Sequence, residues 1–202
     1  MKFFKETIIN AFLMSFFAFF SLSSIIFIKN ITNYQIESIK EKEKNIFVKQ
    51  VIPTNMYNTF DKKFFLIKNK LLGDQKKHNL WVLFKDKKAK AAIVESVAPD
   101  GYSGSISILV AAYFNGKIIG VRVLSHKETP GIGDKIEISI SNWITKFKNM
   151  NVVDLKDKKF LLKKYGGQIE QFTGATITPQ SVANAVKRTV FFIKTVPLIF
   201  SL

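Results

Sequence analysis

One apolar run near the N-terminus constrains this chain more than any other feature. Residues 8–28 read IINAFLMSFFAFFSLSSIIFI and contain no charged side chain. As a helix at about 1.5 Å per residue, the run is about 31 Å long, which matches the roughly 30 Å hydrocarbon core of a bilayer. It is longer than the apolar part of a signal peptide, and its Ser-Leu-Ser segment is a poor cleavage site. The run therefore predicts an uncleaved transmembrane helix; the alternative is a cleaved signal peptide with Lys2 and Lys5 as its basic end.

The apolar run divides the chain into segments of different character. The remainder of the chain, on its C-terminal side, is long enough for one domain of ordinary size. The sequence predicts a short N-terminal segment at 1–7, the transmembrane helix at 8–28, a stalk at 29–55 and one folded domain at 56–202.

The stalk predicts a helix of its own. Residues 33–50 carry apolar side chains at roughly helical spacing, namely Ile36, Ile39, Ile46 and Phe47. This helix should end before Pro53, because the residue before a proline disfavours the helical region. Lysines flank the apolar run on both sides, so charge alone does not orient the anchor.

Turn residues and alternating patterns in the folded domain favour an α+β fold with a largely antiparallel sheet and flanking helices. The predicted strands are Trp81–Phe84, Ala91–Val97, Ile106–Tyr113 and Lys117–Leu124. Asn115-Gly116 is typical of a type I′ hairpin turn, in which both central residues have positive φ.

Weaker patterns predict three further elements. A helix is expected near Ser141–Phe147, with Ile140, Trp143, Ile144 and Phe147 on one face. Short strands are expected at Phe160–Leu162 and Gln168–Phe172.

Composition excludes several classes of site. The chain has no cysteine and two histidines, which leaves out disulfide scaffolds, zinc ribbons, iron–sulfur ligation and thiol nucleophiles. No metal site is predicted. The net charge of +16 comes from 31 basic residues against 15 acidic ones, and the basic residues are 29 Lys and only 2 Arg, spread along the chain. Because nucleic-acid binders usually rely on arginine, this pattern favours a solvated basic surface and no nucleic-acid partner.

The segment Phe172–Val182, FTGATITPQSV, is the most informative for chemistry. Thr178 and Pro179 are typical of a helix N-cap and first helical residue, and the helical stripe after them should end before Pro197. Threonines and a glycine at a helix N-terminus suit a phosphate, because free backbone N–H groups and the positive end of the helix dipole converge there. The alternative is an ordinary capped helix.

A second segment, Ser125–Asp134, comes directly after a predicted strand. Pro130 and two glycines predict a tight loop that presents backbone N–H groups, although the pattern is neither a P-loop nor a dinucleotide fingerprint. The neighbouring Ser125 and His126 are a weak basis for a catalytic triad, and His126 is interpreted as a hydrogen-bonded polar residue at a strand end. No catalytic side chain is predicted.

Four motifs occur in one order along the chain. They are Gly101-Tyr-Ser-Gly104, the Asn115-Gly116 turn, His126-Lys-Glu-Thr-Pro-Gly-Ile-Gly133 and Thr173-Gly-Ala-Thr176-Ile-Thr178. This order resembles the covalent FMN-binding domain family, with core motifs over 98–190. Within that family the chain resembles the G subunit of the Rnf/Rsx ion-translocating electron-transport complex.

The resemblance implies a cofactor and its site. In the family, FMN is joined by a phosphoester to the last threonine of a D-x-x-[S/T]-G-A-T motif, which falls here on Thr176, with Glu170 where the family usually has aspartate. The implied FMN-binding residues are Thr176, Glu128, Thr129, Gly131, Ile132, Gly133, Thr173, Gly174, Ala175 and Thr178.

The resemblance also implies a setting. It makes the chain an electron-carrier subunit of a redox-driven ion-translocating oxidoreductase complex in the bacterial inner membrane. Residues 1–7 would be cytoplasmic and the FMN domain periplasmic. The implied partners are the lipid bilayer, the other membrane subunits of an Rnf/Rsx-type complex and an FAD:protein FMN transferase. Two alternatives remain: the C subunit of a sodium-pumping NADH:quinone reductase, and a membrane-tethered structural or anion-binding module without flavin.

Overall fold

The computed structural model describes residues 2–200, and the side chains of these residues except 2–3 and 34–45. The helices are α1 (Lys2–Val51), α2 (Thr54–Thr59) and α3 (Ile177–Phe200). The strands are β1 (Asp61–Ile67), β2 (His78–Lys85), β3 (Lys88–Ala98), β4 (Ile106–Tyr113) and β5 (Ile118–Ser125). The chain divides into two compact units, 1–45 and 46–202.

The first unit lies within α1, and its apolar part confirms the predicted N-terminal apolar helix. The segment Phe4–Asn33 is long and apolar enough to cross a membrane, and its most apolar window is not buried by protein. Large side chains such as Phe12, Met14 and Phe19 are exposed along it. A helix that is apolar and uncovered in this way is suited to a lipid environment.

The second unit begins with the last turns of α1, which ends before Pro53 as predicted. Val48 and Val51 are buried there, together with Met56 of α2, against one face of the sheet. Ile46 is exposed, so its prediction as part of an apolar face is wrong. The side chains of Ile36 and Ile39 lie outside the described residues.

Within residues 2–200, five strands form an antiparallel sheet in the order β1-β2-β3-β4-β5. This meander confirms the predicted fold class, and β1 and α2 were not predicted. Asp86 and Lys87 join β2 to β3 with φ of 51° and 61°, the conformation of a type I′ turn.

The predicted type I′ turn at Asn115-Gly116 is wrong, although the hairpin is right. Only Gly116 of the pair has positive φ in the described chain, at 92°. Its N–H donates to the carbonyl of Tyr113 at 3.0 Å, and the Asn115 side chain accepts from the N–H of Lys117 at 3.0 Å. This is a longer hairpin loop with one glycine in the left-handed region, in which Asn115 keeps an ordinary φ.

The second face of the sheet packs against α3 and the irregular segment between β5 and α3. A 3-10 helix at Asn142–Phe147 buries Trp143, Ile144 and Phe147, and the Ser141 hydroxyl accepts from the Trp143 N–H at its start. Ile140 is half exposed, contrary to prediction, because it precedes the helix and lies outside its buried face.

The two short strands predicted between residues 160 and 172 are wrong. Leu162 and Ile169 form a single parallel bridge, and 3-10 helices occupy Lys158–Phe160 and Lys163–Tyr165. The segment is too tightly folded on itself to form a ladder, and its backbone bonds are local.

Helix α3 begins at Ile177 and continues through Pro197 to Phe200, so both of its predicted ends are wrong. Pro179 is the third helical residue, where a missing N–H still costs no intrahelical bond. Near the other end, packing offsets the bond lost at Pro197: Val196 is buried, and the Phe200 ring lies 4.8 Å from that of Phe65.

Candidate functional site

Three segments meet at the start of α3 and line a cavity of about 390 Å³ that is open to solvent on one side. They are the turn after β3, the loop after β5 and the stretch that leads into α3. The lining residues are Tyr102, Glu128, Thr129, Ile132, Gly133, Gly174, Ala175, Thr176, Ile177 and Thr178.

The loop after β5 is tight, as predicted from its proline and glycines. The N–H groups of Ile132 and Gly133 both donate to the carbonyl of Thr129, at 3.2 and 2.9 Å. Gly131 has φ of 77°, and its N–H donates to the Asp134 carboxylate at 2.9 Å. These bonds hold Ile132 and Gly133 against the cavity.

Glu128 is the buried carboxyl of the site, with 4% of its surface exposed. Its Oε1 accepts from the backbone N–H of Ser103 at 3.0 Å, and its Oε2 accepts from the Thr178 hydroxyl. Because a buried polar group without partners is costly, these two donors are what let Glu128 lie inside the fold. The same bonds tie the loop after β5 to the turn after β3 and to α3.

Two glycines leave room for this carboxyl. A Cβ at Gly133 would lie 3.0 Å from both Cβ and Oε2 of Glu128. A Cβ at Gly101 would lie 2.3 Å from the Gly104 carbonyl and 3.0 Å from Oε1 of Glu128. Close packing therefore explains both glycines: Gly133 packs against Glu128, and Gly101 packs mainly against the Gly104 carbonyl.

His126 supports the loop from behind. Its Nδ1 accepts from the backbone N–H of Glu128 at 3.0 Å, and its Nε2 lies 2.6 Å from Oε1 of Glu137. Because Nδ1 is the acceptor, the ring proton is assigned to Nε2, which donates to Glu137. This is the hydrogen-bonded role that the sequence favoured for His126 over a catalytic one.

The three threonines of the Thr-Gly-Ala-Thr-Ile-Thr segment occupy different environments. Thr178 is 1% exposed, and its hydroxyl donates to Glu128; it is not the N-cap that was predicted. Thr173 is exposed and does not line the cavity. Thr176 lines the cavity, is half-buried, and immediately precedes α3. Its Oγ1 accepts a hydrogen bond from Nζ of Lys164 at 3.0 Å.

Glu170 lies outside the cavity lining and organises the neighbouring lysines. Its carboxylate pairs with Nζ of Lys146 and with Nζ of Lys163, the latter at 2.8 Å. The hydrogen bond from Lys146, which has the larger effect, and the hydrogen bond from Lys163 lower the pKa of Glu170 to about 2. Its backbone carbonyl accepts from the indole N–H of Trp143 at 2.8 Å, which fixes this stretch on the domain.

The structure brings together most of the predicted site residues. Gly131 and Thr173 are the two that do not line the cavity. Three residues at the site were not predicted: Tyr102, Ile177 and Lys164. Tyr102 could have been found, since it lies inside the Gly101–Gly104 motif, and Ile177 lies inside the threonine segment. Lys164 carries no sequence signal among 29 lysines.

The cavity suits a flat organic cofactor with a phosphate. Its volume falls in the range of about 300–1,000 Å³ that is usual for such ligands. Tyr102, Ile132 and Ile177 present exposed apolar surface around it, and Thr176 and Lys164 provide a hydroxyl and a cation at its edge. Among the residues that the structure describes, no cluster of His, Asp or Glu could hold a metal ion.

The chain matches known proteins over its whole length. Residues 101–190 match a family model described as FMN-binding domain. The G subunit of the ion-translocating oxidoreductase complex of Buchnera aphidicola subsp. Schizaphis graminum is 82% identical over 202 residues, all of both chains. The G subunit of Buchnera aphidicola subsp. Baizongia pistaciae is 45% identical over 192 residues, 94% of this chain and 89% of that one. The G subunit of Escherichia coli O157:H7 is 44% identical over 162 residues, 80% and 78% of the two chains.

The chain therefore contains an FMN-binding domain, whose match covers β4, β5 and the first part of α3, and it carries an N-terminal apolar helix. The chain belongs to the family of G subunits of the ion-translocating oxidoreductase complex, which confirms the resemblance drawn from its motifs.

Proposed function

We propose that this chain is a membrane-anchored electron carrier within a redox-driven ion-translocating oxidoreductase complex. It uses FMN attached covalently through a phosphoester on Thr176. The relatives that it matches over most or all of its length are named as the G subunit of such a complex. This supports the present proposal over the C subunit of a sodium-pumping quinone reductase and over a module without flavin.

The observation that carries the proposal is the difference between the threonines. Thr178 is buried, with its hydroxyl engaged by Glu128. Thr173 is exposed but lies off the cavity. Thr176 alone of the three is at once accessible to a modifying enzyme and in the cavity lining. A phosphoester there would place the cofactor at the cavity while its phosphate lies beside the first turn of α3.

The residues around the cavity would bind and orient FMN, which when bound supplies an isoalloxazine ring that accepts and donates electrons. Tyr102, Ile132 and Ile177 offer apolar surface that excludes water from a planar ring. Glu128 places a carboxyl held by two donors in the cavity lining, where it contributes to the local potential. No side chain has to transfer a proton, because electron relay needs positioning and a tuned potential.

The membrane setting is inferred from the apolar helix. Phe4–Asn33 would anchor the chain in the bacterial inner membrane beside the other membrane subunits, with the FMN domain on the periplasmic side. Covalent attachment would prevent loss of the cofactor there, and an FAD:protein FMN transferase would install it. Protease added to intact spheroplasts should digest the domain beyond Lys29. Complete protection would show the opposite topology, with the domain on the cytoplasmic side.

The flavin is tested directly on the full chain. Co-expressed with a flavin transferase, the purified protein should show visible flavin absorption that survives denaturation and gel filtration. Peptide mapping by mass spectrometry should place the added FMN on Thr176. A colourless protein would refute the carrier function, and FMN on Thr173 or Thr178 would refute only the attachment residue.

A further inference from the structure

Lys164 carries a contact that the proposed function does not explain. Its ammonium donates to the neutral hydroxyl of Thr176 at 3.0 Å. Among the ion pairs of the described residues, none includes Lys164, although Lys163, the residue before it, is paired with Glu170. An ammonium usually finds a carboxylate or remains in water, so its place on a hydroxyl suggests a counter-charge that arrives later.

Glu170 explains why Lys164, and not a neighbouring lysine, contacts the Thr176 hydroxyl. Its carboxylate takes Lys146 and Lys163, and the hydrogen bonds from both hold its pKa at about 2. Glu170 is thus the carboxylate partner of these two lysines. Lys164 is left with the Thr176 hydroxyl and with the ring of Tyr165, whose centroid lies 4.7 Å from its Nζ.

The backbone that carries Lys164 is fixed, which keeps the side chain within reach of Thr176. The 3-10 helix Lys163–Tyr165 ends at Gly166, whose φ of 82° reverses the chain. The side chain of Gln180, in the first turn of α3, accepts from the Leu162 N–H at 3.0 Å and donates to the Phe160 carbonyl at 3.1 Å. Gln180 thus ties the segment before Lys164 to the helix that begins beside Thr176.

We propose that Lys164 is the phosphate-binding residue of the flavin attachment site: it orients the Thr176 hydroxyl and neutralises the phosphodiester formed on it. This inference rests on the proposed attachment of FMN at Thr176. In the transfer, Oγ1 of Thr176 bonds to the FMN phosphorus of a flavin adenine dinucleotide. The pyrophosphate bond breaks, AMP leaves, and the hydroxyl proton passes to a base of the transferase.

The chemistry gives Lys164 two roles in that exchange, which involves no oxidation or reduction. Its donation to one lone pair of Oγ1 leaves the second lone pair for phosphorus and directs the hydroxyl proton away from itself. The diester that forms carries one negative charge on oxygens of the phosphorus bonded to Oγ1. The ammonium then pairs with that charge, a charge-assisted hydrogen bond stronger than the one it makes to the hydroxyl.

The test measures the rate of attachment to full-length chains in detergent, with purified transferase and flavin adenine dinucleotide. Lys164→Gln removes the charge and keeps a polar side chain of similar reach, and Lys164→Arg restores the charge. Lys158→Gln is the matched control, because Lys158 is an exposed lysine in the same segment. Thr176→Val reports on the proposed attachment itself, and thermal melts check that each variant is folded.

We expect Lys164→Gln to lower the maximal rate of attachment about five- to ten-fold, the size of one charge-assisted hydrogen bond reduced by solvent. Lys164→Arg should recover most of the rate, and Lys158→Gln should match the wild type. Added salt should slow the wild type more than Lys164→Gln, a difference that a purely structural role would not produce.

Two results would overturn the role of Lys164 while leaving the attachment intact. One is a wild-type rate in Lys164→Gln. The other is a raised KM for the acceptor chain with an unchanged maximal rate, which would make Lys164 a docking contact for the transferase. A wild type without covalent flavin, or a Thr176→Val variant that still acquires it, would overturn the attachment site and this inference together.

Discussion

The cavity has two sides that differ in how their polar groups are held. The buried wall consists of Glu128, Thr178 and the Ser103 amide, which satisfy one another inside the fold. The open rim consists of Thr176 and Lys164, whose hydrogen bond is exposed to solvent. Thr176 and Thr178 are only two residues apart, yet the first side chain is half-buried at the rim and the second is fully buried. The difference teaches that burial and partners, rather than residue type, separate a structural hydroxyl from one that is accessible for modification.

Replacing Thr176 with valine should produce the largest effect on the open rim. Valine has nearly the same shape but offers no hydroxyl to phosphorus, so denaturant-resistant flavin fluorescence should disappear. The melting temperature of the apo-protein should stay within a degree or two of the wild type, because only one exposed hydrogen bond is lost. Flavin that remains after denaturation would place the attachment elsewhere and remove the basis of the comparison.

The matching change in the buried wall, Thr178→Val, should behave in the opposite way. It takes from Glu128 one of its two donors and leaves a buried carboxylate oxygen unpaired, which costs about 1–3 kcal/mol. For a chain of this size that lowers the melting temperature by about 3–10 °C. Tryptophan fluorescence melts of the full chain measure this, and covalent flavin should still form on Thr176. A normal melt would show that the Thr178–Glu128 bond contributes little.

The two loop glycines sharpen the comparison further. Gly133→Ala puts a Cβ at 3.0 Å from Glu128, so it should disturb the buried wall and cost about 1–3 kcal/mol. Gly131→Ala adds a Cβ in open space, and its only penalty is the φ of 77°, about 1 kcal/mol. Melting temperatures should therefore fall more for Gly133→Ala, and its flavin absorption should shift. Equal effects would mean that backbone conformation, not contact with Glu128, explains both glycines.

Glu170→Gln should give the smallest effect, because the pair with Lys146 and Lys163 is exposed. The folded pKa of about 2 lies below the ordinary value of 4.5. The carboxylate therefore stabilises the fold above about pH 4.5, and this contribution is lost as the pH falls towards 2. The difference in melting temperature between wild type and Glu170→Gln should be small at pH 7 and should vanish near pH 2. A difference that grows on acidification would contradict the assignment.

Much of this arrangement could be predicted from the sequence because the signals are local. The apolar run, the alternating strands and the turn residues between them define the helix and four strands without reference to distant parts of the chain. Strand β1 was not predicted because its sequence, DKKFFLI, begins with charges and lacks regular alternation. The buried role of Thr178 was missed because its partner Glu128 is 50 residues away.

The errors at the ends of α3 and in the 160–172 segment have a common cause. Local rules gave Thr178 and Pro179 the usual positions at a helix start, but Glu128 takes the Thr178 hydroxyl and the helix begins earlier. Apolar Leu162 and Ile169 suggested strands, but each is buried by a compact loop that Gln180 ties to α3. Tertiary contacts overrode local propensity in both places.

The bonds of Gln180 also bear on when a flavin could be attached to the chain. Thr176 and Lys164 are 12 positions apart in the sequence, and an unfolded chain would bring them together only transiently. Once the 160–162 backbone is tied to α3, the ammonium is held within reach of the hydroxyl. We therefore expect the transferase to modify chains that have already folded and to pass over nascent or damaged ones. The protein that carries flavin would then consist of chains that had already folded before the flavin was attached.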